Sequence, residues 1–197
     1  MAVGDNVVSI CNIAMIAVGE DLVTSVFPPD PNKRAILSAQ RYDDVRRAVL
    51  RSFPWNCAKK YAQPAAAPAA PAFGYDNAYP LPADCLRVVM LVDGDGNPLE
   101  NTPWEVVGNQ LLTDADSPVN LVYIYDLQDP TQFDPLLVHA VGDALGAELA
   151  EPLTQSTAKR DELLKIVEGK LETARFTGSQ ENSTREWDTD VWLRARR

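Results

Sequence analysis

The stretch Tyr42-Asp-Asp-Val-Arg-Arg-Ala-Val-Leu-Arg-Ser-Phe-Pro-Trp-Asn-Cys-Ala-Lys-Lys60 runs a charged helical pattern straight into a corner. Proline lacks the amide that continues a helix and restricts the residue before it, so Phe53-Pro54-Trp55 ends the helix. Two large aromatic side chains bracket the break, and each has a large apolar area to bury. Phe53, Pro54 and Trp55 are therefore expected to form a structural corner that pins the helix to another part of the fold.

Upstream of the corner, Ile36, Ala39, Tyr42, Val45, Val49 and Phe53 recur at three- and four-residue steps. The opposite face carries Arg41, Asp44, Arg47 and Arg51. Asp30-Pro31 predicts the start, an N-cap followed by proline at the first helical position. An earlier helix is expected from an N-cap at Asp5 to Gly19, with Val8, Cys11, Met15 and Val18 on one face and Ala14 beside them.

Downstream, the Pro- and Ala-rich segment from Gln63 to Gly74 has little to bury and reads as an extended surface connection. Strand signals follow at Leu86–Val92, Trp104–Val107, Leu111–Thr113 and Val119–Tyr125, with Gly108-Asn109 as a hairpin turn. They predict a meander of about four short strands. Helix resumes at Asp134-Pro135, with Leu137, Val141, Ala144, Leu145 and Leu149 as its apolar side and Pro152 as an interruption. A last long helix, from Ser156 to Phe176, carries a seam of Leu164, Val167, Leu171 and Ala174.

The expected class is α+β: mainly a helical bundle of about four helices from both ends of the chain, an inserted small antiparallel β-domain, and an extended C-terminal arm. The division is 1–62 and 130–177 for the bundle, 63–129 for the linker and β-domain, and 178–197 for the arm.

A net charge of -10 argues against a free-standing nucleic-acid binder, because affinity for phosphate depends on Lys and Arg. Three cysteines, Cys11, Cys57 and Cys85, have no metal-type spacing and read as reduced, packed thiols. The opening segment contains Asp5 and lacks a basic leader, and no apolar run reaches spanning length. The expected place is a cytoplasm, or a particle assembled there, without membrane contact.

Asp93-Gly-Asp-Gly-Asn97 resembles the start of a calcium loop, but Pro98 stands where that loop needs glycine and Trp104 where it needs glutamate. It reads as a solvated turn. His139, with Asp143 one turn on, is the only histidine and reads as structural. The acid pairs Asp43-Asp44 and Glu148 with Glu151 read as solvated helix faces. No nucleophile elbow and no phosphate-cradling glycine cluster is present, so no catalytic, metal or cofactor residue is assigned and the chain is expected not to be an enzyme.

The C-terminus differs from the rest. Arg185, Trp187, Trp192, Arg194, Arg196 and Arg197 follow a polar spacer, and Trp and Arg are enriched at binding hot spots. They read as a docking arm that orders on a partner.

Several segments in one order resemble the tail tubular protein A family, head-to-tail adaptors best known from short-tailed bacteriophages. The pieces are Ile10-Cys-Asn-Ile-Ala14 with Gly19-Glu20, Tyr42–Arg47 leading to Leu50–Lys59, Ala78–Val88, Tyr123-Ile-Tyr-Asp126 with Asp129 and Phe133-Asp-Pro135, and Leu145–Ser156. The resemblance implies a virion protein that forms a homo-oligomeric ring, usually a dodecamer, beneath the portal protein and carries the next tail component, a nozzle or tail-tube protein. It also implies a helical bundle bearing a small β-domain, portal docking through the C-terminal segment, and a channel through which DNA passes without specific binding. A tail-associated glycan hydrolase and a tail-completion or scaffolding factor without a stable ring are the alternatives, the first needing a carboxyl pair that the sequence does not single out.

Overall fold

A computed structural model describes residues 6–99 and 102–181, with side chains as far as Thr173. Its helices are α1 (Val7–Val18), α2 (Lys33–Ser52), α3 (Pro135–Thr154) and α4 (Thr157–Glu181). Its strands are β1 (Lys59–Ala62), β2 (Asn77–Pro80), β3 (Cys85–Val92), β4 (Trp104–Val107), β5 (Gln110–Thr113) and β6 (Asn120–Tyr125). The architecture is mixed, with four helices and two three-stranded antiparallel sheets ordered β1-β6-β3 and β2-β5-β4.

The expected single meander is thus corrected to two sheets. Lys59-Lys-Tyr-Ala62 and Asn77-Ala-Tyr-Pro80 are short and lack a run of branched residues, so β1 and β2 gave no strand signal of their own. β1 lies ahead of residue 63, next to the corner, and pairs with β6 from Lys59↔Ile124 to Ala62↔Leu121. Pairing with a distant strand decides its structure, as is usual for β-segments. At the other end α4 continues through residues 178–181, which the sequence reading had given to the arm.

Helix ends follow side-chain capping. Asn6 caps α1, its side chain accepting from the Ser9 amide at 2.8 Å, while Asp5 lies outside the described residues. Gly19 closes that helix at φ +89°, a conformation in which glycine has no Cβ penalty. α2 begins at Lys33 rather than Pro31, because Asn32 is the cap (Ala35 amide, 2.9 Å). Asp30 instead gathers the amides of Thr24 and Ser25 at 2.8 and 3.0 Å and ties off the preceding loop. Asp134 caps α3 as expected, taking the Leu136 amide at 2.8 Å. Pro152 does not interrupt α3: it sits inside the helix, which ends at Gln155 in the left-handed region at φ 58°.

α1 lies against α3 across a stripe where α3 offers glycine. A Cβ on Gly142 would stand 2.7 Å from the Ile13 Cγ2, and one on Gly146 would stand 3.3 Å from the Ala14 carbonyl oxygen. At Gly142 a side chain would force Ile13 to move, and at Gly146 it would press on the Ala14 backbone. α4 runs back along α3, burying Leu163 and Val167, and Lys170 pairs with the buried Asp143. The expected α4 seam is corrected here: Leu164 is 45% exposed, and the seam starts one position earlier at Leu163.

The core forms two main layers that share β6, whose side chains alternate between faces. Ile124 joins Trp55, Ala58 and the helix residues Ile10, Met15, Val45, Leu50 and Leu145. Leu121 and Tyr123 join Tyr79, Leu91 and Leu111 between the two sheets. The β1-β6-β3 sheet is therefore the middle layer, with helices on one side and the second sheet on the other. That placement makes the contact between α2 and β6 a structural crossroads.

Candidate functional site

The crossroads is built on the corner. Phe53 leaves the helix in an extended conformation (φ -140°, ψ 145°) and stands edge-on to Trp55 with ring centroids 5.0 Å apart. Trp55 is 3% exposed, and its indole N–H donates to the Val49 carbonyl at 3.1 Å. This bond satisfies one of the carbonyls that the end of a helix leaves without a partner. From Trp55 the chain makes a 3-10 turn at Asn56–Ala58 and enters β1 directly. Pro54 is half-buried between the two aromatics.

Beside the corner lies an arginine network that the sequence reading missed. Arg46 is 1% exposed; its Nη1 donates to Asp126 Oδ1 at 2.5 Å and to the Leu127 carbonyl at 2.7 Å. Arg47 reaches the other oxygen of Asp126 at 3.1 Å, and Asp43 contacts Arg46 at 3.4 Å. Burial works to raise the Asp126 pKa, but the hydrogen bond and charge of Arg46 and the charge of Arg47 outweigh it, leaving the pKa below the usual range. A buried guanidinium needs this pairing, since an uncompensated interior charge is costly.

The signal was present in the spacing. Arg46 stands four residues after Tyr42 and three before Val49, on the apolar stripe itself. The stripe assigned from sequence included Ile36, which is 41% exposed, and omitted Ala35, Ser38, Arg46 and Leu50, all buried. An arginine within a buried stripe implies an acid elsewhere, but its partner lies 80 residues on.

Two further braces tie the sheet to the corner. Lys60 pairs with Asp84 at 2.8 Å and lies 3.8 Å from the Tyr125 ring centroid, and the Tyr123 hydroxyl donates to the second Asp84 oxygen at 3.1 Å. The Lys60 hydrogen bond is the largest influence holding Asp84 below the ordinary carboxylate range. Arg51 donates to the Leu86 carbonyl, and Arg87 returns to the carbonyl of Arg51 at 3.2 Å.

The remaining sequence candidates fall elsewhere. Asp93 folds onto its own turn, accepting from the amides of Asp95 and Asn97 and from the Asn97 side chain at 2.7–3.0 Å. Those donors fill carboxylate positions that a cation would need. His139 is exposed on α3, beside a cleft bounded by Leu136, Lys170 and Thr173, while Asp143 is engaged by Lys170. Glu148 and Glu151 are not merely solvated: Glu148 pairs with Arg41 and Glu151 with Arg160, both at 2.7 Å, joining α3 to α2 and to α4. Cys11 is buried, and burial pushes its thiol up to about 12. Among the described residues no cluster of three or more His, Cys, Asp or Glu is placed to hold a metal ion. No helix among them is long and apolar enough to cross a membrane. The arm residues Arg185, Trp187, Trp192, Arg194, Arg196 and Arg197 lie outside the described residues.

No protein-family model matches the chain, and no curated protein matches it in sequence.

Proposed function

We propose that this chain is a structural virion protein, a head-to-tail adaptor that assembles as a ring under a portal and carries the next tail component. The observation that supports the reading is the coincidence of the resembling segments with the braced crossroads. Tyr42–Arg47, Leu50–Lys59, Asp84–Arg87 and Tyr123–Asp126 are separate segments of the sequence, yet their side chains and carbonyls bond to one another. In this reading those bonds fix the angle between helices and sheets, and the chain's work is orientation rather than chemistry.

In this reading the ring is the closed product of one interface repeated head to tail. The C-terminal segment, rich in tryptophan and arginine, grips the portal. The net charge of -10, repeated around the ring, disfavours adhesion of DNA passing through the channel. No catalytic role is proposed.

The test is co-sedimentation with the cognate portal ring, comparing the full chain with one ending at residue 177. The full chain is expected to sediment with the portal, and the shorter chain to remain folded and stay behind. Equal binding by both would place the docking surface outside the arm. Binding by neither would favour a factor of another kind, a glycan hydrolase included.

A further inference from the structure

We infer that the polar cavity between the end of α2, β3 and the β4–β5 turn is a binding site for a phosphate-type oxyanion. The cavity has a volume of about 380 Å³, and its lining includes Arg51, Cys85, Arg87, Val106, Gly108 and Asn109, with no acidic side chain among the described residues. Two exposed arginines border this one space. Elsewhere Arg34, Arg41, Arg46, Arg47 and Arg160 each meet a carboxylate. Arg51 and Arg87 have no carboxylate partner among the described residues.

Their mutual geometry is cross-braced. Arg51 Nη1 donates to the Leu86 carbonyl, and Arg87 Nη1 to the carbonyls of Arg51 and Ser52 at 3.2 and 3.5 Å. Each arginine is thus fixed through backbone next to the other. Arg87 also gains from the partial negative charge at the C-terminus of α2. That role uses one nitrogen of a group with five N–H donors, and Arg51 likewise spends one. Two like charges held at one cavity with most donors unspent are relieved by a bidentate oxyanion, the ligand geometry guanidinium matches best. The hairpin turn at Gly108-Asn109, with Gly108 at φ +60°, contributes to the same lining.

The test is a titration of the full chain with inorganic phosphate, followed by amide NMR at constant ionic strength. Saturable shifts in the millimolar range are expected in residues 51–53, 85–88 and 106–109, with chloride giving none. Arg51→Gln and Arg87→Gln should each weaken binding about tenfold or more, the loss of one charge-assisted contact. Arg87→Lys, which keeps the charge but not the fork, should show an intermediate affinity and guards against a folding defect. A parallel titration with a thymidine dinucleotide, whose only phosphate is the internal diester, identifies the source. Shifts at the same amides assign the site to a nucleic-acid backbone, and silence assigns it to a free phosphate group. Absence of saturable shifts with both probes, or shifts unchanged in both glutamine variants, would overturn the assignment.

Discussion

Arg46 on α2 and Asp126 just beyond β6 meet at 2.5 Å, the guanidinium wholly buried and the carboxylate 12% exposed. The pair joins the helical layer to the central strand, and Arg46 also holds the Leu127 carbonyl. Arg46→Ala leaves Asp126 Oδ1 and that carbonyl without their buried donor, with Arg47 still on the other carboxylate oxygen. We expect a loss of about 3 to 5 kcal/mol in urea unfolding, the range for breaking one side of a buried pair. A loss well under 1 kcal/mol would mean that water replaces the guanidinium.

The same pair sets a pH dependence. Asp126 and Asp84 are both held below the ordinary carboxylate pKa in the folded chain. A depressed folded value contributes stability that is fully present above the unfolded pKa, about 3.9, and is lost as pH falls through the folded value. Unfolding midpoints should therefore hold above about pH 5 and drop below about pH 4. Asp126→Asn should be less stable at neutral pH and show a shallower acid decline than the parent. Identical slopes would remove Asp126 from the account.

Trp55 contributes an indole ring and a hydrogen bond to the helix end. Trp55→Ala should cost about 3 to 5 kcal/mol, as for other fully buried large aromatics. Trp55→Phe keeps most of the ring and forfeits the bond to Val49, so about 1 kcal/mol is expected, plus a smaller packing loss. Equilibrium denaturation of both variants separates the two contributions.

Gly142→Ala provides a check on the α1–α3 approach. Alanine favours helix over glycine by about 1 kcal/mol, so an open site would be stabilised. Here the new methyl would meet Ile13 at 2.7 Å and the Ile10 carbonyl oxygen at 3.2 Å. Destabilisation of about 1 to 3 kcal/mol is expected, as for other overpacked interiors. Ile13→Ala in the same chain should recover part of it.

Much of the fold was legible because local chemistry spells it. Asp134-Pro135, Gly19 and Gly108-Asn109 each announced an element boundary through capping or turn geometry. Where two signals competed, the sequence misled: Asp30 and Asn32 are both good caps, and only the loop contacts of Asp30 decide between them. β1 and β2 were silent because four-residue strands are defined by their partners, β6 and β5. The Phe53-Pro54-Trp55 corner was readable, since proline and the aromatics carry their meaning locally. The Arg46–Asp126 pair was not, because a helix pattern reports which side is buried and cannot report what an arginine there will meet.

The central claim is that the chain is an oriented building block of a portal-bound ring. Electron microscopy of the purified chain mixed with its cognate portal tests it most directly. A closed ring of copies seated on the portal, with density for the arm at the portal surface, is the predicted result. Isolated chains beside bare portals, under conditions where both are folded, would contradict it.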